Sequence, residues 1–188
     1  FSTLMGYVVI AVFLLLLGLL LWVFPGDGNV LDAGQASLDA MFTWAPWIFM
    51  FLIPAITMRS FAEEHRSGTM ELILTRPLSE RSVVLAKFFG AFAVMLCALL
   101  PTLLYIPVIG ELGQPGWNFD GGGMQGSYVG LILLGSAYTA CGILISTLTR
   151  NPLVAFLVTL VTLVFWYIGF TALANFSFNS SNALAYKT

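Results

Sequence analysis

The densest cluster of side chains able to do chemistry in this 188-residue chain lies in one polar stretch. It reads Arg59-Ser-Phe-Ala-Glu-Glu-His-Arg-Ser-Gly-Thr-Met-Glu-Leu-Ile-Leu-Thr-Arg-Pro-Leu-Ser79 and holds Glu63, Glu64, Arg66, Glu71 and Arg76. The chain has 1 histidine, His65, which excludes a histidine-built metal centre and leaves little for metal catalysis. The chemistry that remains is ion pairing. Carboxylates and guanidinium groups at the rim of a short helix suit pairing across an interface with another protein. Gly68 allows a sharp bend between two helical pieces. A plain solvated loop is the competing reading. Thr75-Arg76-Pro77 reads as a turn, since the residue before a proline avoids the α region. Ser79 then reads as the N-cap of the next helix, with Glu80 at its positive end.

The elements around this stretch are apolar. The chain is 59% hydrophobic and 9% charged, with mean hydropathy +0.95. Soluble domains carry about 25% charged residues. The composition thus excludes an ordinary soluble globule and a disordered chain. A net charge of −2 and a pI near 5.2 supply no basic field for a nucleic acid. The fold class expected is all-α polytopic membrane protein, with residues 1–188 forming one transmembrane domain. Apolar runs at about 4–24, 41–58, 83–109, 127–148 and 153–172 give five spans of roughly 20 residues each. Pro25-Gly26-Asp27-Gly28 ends the first. Pro46 and Pro54 bend the second. The third carries Pro101 and Pro107 and is long enough to tilt or to start in the interface. A polar tail is expected from residue 175.

Basic residues set the orientation. Arg59, Arg66, Arg76, Arg81 and Lys87 fill or flank the 59–81 loop, and Arg150 occupies the other loop on that side. Loops 25–40 and 110–126 hold Asp27, Asp32, Asp39, Glu111 and Asp120 and no Lys or Arg. Segments 59–81 and 150–152 are therefore expected in the cytoplasm, and the acidic loops outside. Trp22, Trp44, Trp47, Trp117 and Trp166 fall toward the outer side, as an interfacial belt would place them. Five spans leave the tail outside, so a sixth, returning span is expected in the full-length chain.

Inside the runs no Asp, Glu, Lys, Arg or His sits near a span centre, which argues against an ion-coupled carrier. Two quartets of small residues stand out. Ala86, Gly90, Ala93 and Cys97, and Gly135, Thr139, Gly142 and Ser146, each repeat at spacings of 4, 3 and 4. Each quartet shares a helix face, where small side chains allow close helix packing within the chain or in a dimer. Cys97 and Cys141 read as apolar packing residues. Thr102, Thr159 and Thr162 read as hydroxyls bonded to their own helix backbone.

Glu64-His65-Arg66-Ser67-Gly68-Thr69-Met70-Glu71-Leu72, followed by Thr75-Arg76-Pro77-Leu78-Ser79, resembles the cytoplasmic signature of type-2 ATP-binding-cassette (ABC) permeases. Within that family the stretch is most similar to the gliding-motility-type permeases and next to the permeases of nitrous oxide reductase maturation. The resemblance implies six spans per permease, an amphipathic helix before the first span, and a bacterial cytoplasmic (inner) membrane location. It implies a second permease subunit, identical or homologous, and two copies of a cytosolic ABC ATPase subunit. It makes the loop after the second span a coupling segment, with Glu63, Glu64, Arg66, Gly68, Thr69, Glu71 and Arg76 as its candidate ATPase-coupling residues. No Gly-x-x-x-x-Gly-Lys-[Ser/Thr] occurs, so ATP and Mg are expected on the partner, with no cofactor bound and no catalysis performed by this chain. The alternative is a membrane anchor that transmits force in a motility or secretion machine and passes no substrate. Either role leaves room for an external partner on the acidic loops.

Overall fold

A computed structural model of the chain describes residues 3–26, 29–30, 37–68, 79–112 and 121–185. Every regular element among them is helical. These are α1 (Thr3–Trp22), α2 (Asp39–Thr57), α3 (Ala62–Ser67), α4 (Glu80–Leu99), α5 (Tyr105–Leu112), α6 (Gly121–Leu148) and α7 (Pro152–Ala185). A 3-10 turn, Leu100–Leu104, joins α4 to α5. Four apolar helical stretches have the length to cross a membrane: 39–67, 81–111, 121–148 and 152–176. With α1, whose 20 residues span about 30 Å, they make a multi-pass membrane protein.

The centre of the bundle is α2. Of its apolar window 61% is buried within the chain, against 17% for α7. It packs most extensively on α6, and also on α1, α4 and α7. Phe13 of α1 stacks on Phe49 of α2 with ring centroids 5.1 Å apart, and Phe42 of α2 meets Tyr128 of α6 edge-on at 5.1 Å. Both Pro46 and Pro54 lie inside α2, which continues through them as one helix. By contrast, Val161, Phe165 and Phe170 of α7 face outward, as lipid-facing side chains do.

Three boundaries differ from those expected. The long third run is divided: after α4, Pro101 lacks the N–H that would continue the α-helical ladder, and the chain tightens into a 3-10 turn. Tyr128 meets this turn at Thr102. Its hydroxyl donates to Thr102 O at 3.1 Å and lies 3.2 Å from Thr102 Oγ1, which in turn donates to Leu99 O. The fourth helix starts at Gly121 rather than 127, because Met124 and Tyr128 are buried against the bundle and hold the glycine-rich start in register. The polar tail is helical as far as Ala185. It contains no Gly or Pro to stop the helix, although its apolar character ends near residue 172.

The ends of α2, α4, α6 and α7 that carry Arg59, Arg81 and Arg150 meet at one end of the bundle, and α3 packs there on α6 and α7. Ser79 starts α4, its hydroxyl accepting from Ser82 N at 3.3 Å. Asn151 starts α7 in the same manner, its Oδ1 accepting from Leu153 N at 3.0 Å.

Candidate functional site

The site is built on α3. Six residues cannot hold a helix in water on their own, because nucleation fixes several dihedrals for each bond gained. Here the first turn is fastened to the bundle. Phe61 and Ala62 are buried, and their N–H groups point at the end of α6, where Ser146 Oγ accepts both at 3.0 and 3.2 Å. The same hydroxyl donates to Met58 O at 3.3 Å. One O–H and two lone pairs are all that a serine side chain offers, so its capacity is used in full. No side chain of α3 or its flanks caps this helix; a transmembrane helix does.

A second fastening comes from α4. Lys87 Nζ pairs with Glu64 Oε2, donates to Ser60 O, and lies 3.8 Å from the centroid of the Phe61 ring. Both charged side chains are partly buried, which makes the pair stiffer than a surface ion pair. The helix ends at Gly68, whose φ of +71° belongs to the left-handed region that glycine occupies freely.

The expected coupling residues therefore separate. Glu63, Arg66 and Gly68 are exposed, with Ser67 beside them. Glu64 instead turns inward to Lys87. Thr69, Glu71 and Arg76 lie outside the described residues. Among the described residues no three His, Cys, Asp or Glu side chains converge as metal ligands would. The described part of the site presents an exposed, mixed-charge face mounted on three spans.

The small-residue quartets also separate. Gly135, Thr139, Gly142 and Ser146 are buried along α6. A Cβ added at Gly142 would run into the Thr57 side chain, 3.0 Å from its Cβ, so α2 and α6 approach there as only glycine permits. At Gly135 the neighbour is the flexible end of Met95. Ala86, Gly90, Ala93 and Cys97 on α4 are all exposed instead, because α4 turns its other face, Ala91, Met95 and Ala98, to the bundle. The threonines bond to their own helices: Thr102 to Leu99 O, Thr159 to Ala155 O and Thr162 to Val158 O.

Residues 28–186 match the sequence profile described as ABC-2 family transporter protein. The chain belongs to the ABC-2 transporter family. A relative within reach is the probable ABC transporter permease protein NosY of Stutzerimonas stutzeri, 30% identical over 121 residues. The match covers 58% of this chain and 44% of that relative, so the chain spans less than half the length of the protein it resembles. No solved structure matches. In this ABC-2 chain α3, which opens the motif stretch, is anchored by two residues that the sequence presents differently. Ser146 stood among small packing residues, and Lys87 stood only as a charge that marks a membrane side. Neither carries a local signal for its role, since their partners lie 85 and 23 residues away.

Proposed function

We propose that the chain is the membrane-spanning part of a permease subunit that pairs with a second permease and is driven by separate cytosolic ATPase subunits. The observation that supports this reading is α3: a charged, exposed face at the Arg-rich end of the bundle, rigidly tied to α2, α4 and α6. In this reading the Arg-rich end faces the cytoplasm of a bacterium, as the basic-residue rule requires. Glu63 and Arg66 offer charge-assisted hydrogen bonds to the ATPase surface. ATP binding and hydrolysis on the partner then push or pull α3, and the spans it is tied to change the path between the two permeases. ATP and Mg belong to the partner, and this subunit contributes no catalytic group.

The test uses the full-length permease expressed with its ATPase. Glu71→Ala and Gly68→Leu are each expected to lower ATPase co-purification or transport-linked ATP hydrolysis by an order of magnitude. Wild-type values of both in both variants refute the assignment. Nucleotide-dependent structural change without flux in proteoliposomes would assign the chain to force transmission in place of transport.

A further inference from the structure

We propose that Ser146 is a positioning residue that makes α3 and the end of α6 move as one body, with Lys87 doing the same toward α4. This rests on the reading that an ATPase pushes on α3. Besides its covalent link to α2, α3 is attached through the Ser146 hydroxyl and the Lys87–Glu64 pair. Its outward side, Glu63 and Arg66, is free to receive a load.

The Ser146 attachment has the properties of a rigid joint. It holds backbone atoms, which have no rotamer freedom, on both sides of the bend between α2 and α3: Met58 O before it, and Phe61 N and Ala62 N after it. Phe61 and Ala62 are buried, so a bond lost here is not replaced by water. One turn further into the membrane, Gly142 and Thr57 are in direct contact, so the end of α2 cannot slide past α6 to absorb the movement. A displacement of α3 is thereby delivered to α6, the long helix whose other end carries Gln125 and Tyr128. Lys87 is the softer of the two joints. Its flexible stem ends in an ion pair, and the Phe61 ring beneath it keeps the ammonium group in place.

The test measures motion rather than stability. Spin labels are placed at Val23→Cys and Gln125→Cys, on the far ends of α1 and α6, in a full-length permease–ATPase complex lacking Cys97 and Cys141. The distance between them is read without nucleotide and with ATP plus vanadate. A distance shift in the wild-type background is expected. Ser146→Ala is expected to show less than a third of the shift in the complexes that keep their ATPase, and Ser146→Thr to regain at least two-thirds. Lys87→Met is expected to reduce the shift by about half, and Lys87→Arg to restore it. A full shift in Ser146→Ala with ATPase bound overturns the joint while leaving the coupling reading intact. Loss of the ATPase from Ser146→Ala also overturns it, since the residue would then merely fold α3. A wild-type complex that retains no ATPase overturns the coupling reading itself, and the joint with it.

Discussion

Gly142→Ala is the smallest change that tests how the bundle holds α3. The added Cβ would fall 3.0 Å from Thr57 Cβ and 3.2 Å from its Cγ2, and closer still to Oγ1. Carbon atoms rest at about 3.5–4.0 Å, so the helices must part by roughly half an ångström or more. Thr57 cannot swing away. Its hydroxyl donates to Ile53 O at 2.9 Å, and rotation would leave Cβ where it is. Overpacking of this kind costs about 1–3 kcal/mol. Replacing glycine by alanine inside a helix returns up to about 1 kcal/mol of backbone entropy. The net expectation is a loss of about 1–2 kcal/mol, measured by reversible unfolding in mixed micelles. Two controls locate the cause. Gly135→Ala should cost less, because Met95 can bend its thioether end aside. Thr57→Ala should partly rescue Gly142→Ala by removing two of the three crowded atoms. Because Ser146 lies one turn from Gly142 on the same face, amide exchange at Phe61 and Ala62 should also quicken. A Gly142→Ala protein as stable as the wild type, with unchanged exchange at those amides, would refute the close-approach argument.

Three further outcomes are expected. Lys87→Met and Glu64→Gln, combined in a double-mutant cycle followed by thermal unfolding, should reveal a coupling of about 1–2 kcal/mol, since the pair is only partly screened by solvent; additive losses would show that the pair contributes nothing. Tyr128→Phe should lose about 1–2 kcal/mol and speed amide exchange through Leu100–Leu104, because its hydroxyl donates to the Thr102 carbonyl of the 3-10 turn; unchanged exchange there would count against that role. Ser79→Ala should cost about 1 kcal/mol by uncapping α4, visible as faster exchange at Ser82.

Hydropathy marks each long apolar helix but not where it ends, and the two are physically different events. The fifth run loses its apolar character near residue 172, yet α7 continues to Ala185 because Asn and Ser without Gly or Pro leave the backbone ladder unbroken. At Gly121 the reverse holds. Three glycines read as loop by propensity, and burial of Met124 and Tyr128 outweighs that preference. The Ser79 cap was legible, and Gly68 was legible as a bend though not as a left-handed helix end, because each depends on neighbours in sequence. The inward turn of Glu64 was not, since it is decided by Lys87 on another helix.

The same contrast explains why the mechanical part of the site escapes a motif. On the proposed coupling reading a docking face must present particular charges, and Glu63 and Arg66 stand out in an apolar chain. A joint needs only one hydroxyl of the right size at a place where two backbones converge, and Ser146 meets that need while fitting the small-residue pattern of α6. Thr139, two steps earlier in that quartet, shows how position decides the role. Its hydroxyl donates to Gly135 O in its own helix. Two hydroxyls on one buried face thus differ because α3 begins beside one of them, and a Ser146→Thr chain that keeps its nucleotide response would show that the hydroxyl, rather than the smallness of the residue, is what this position requires.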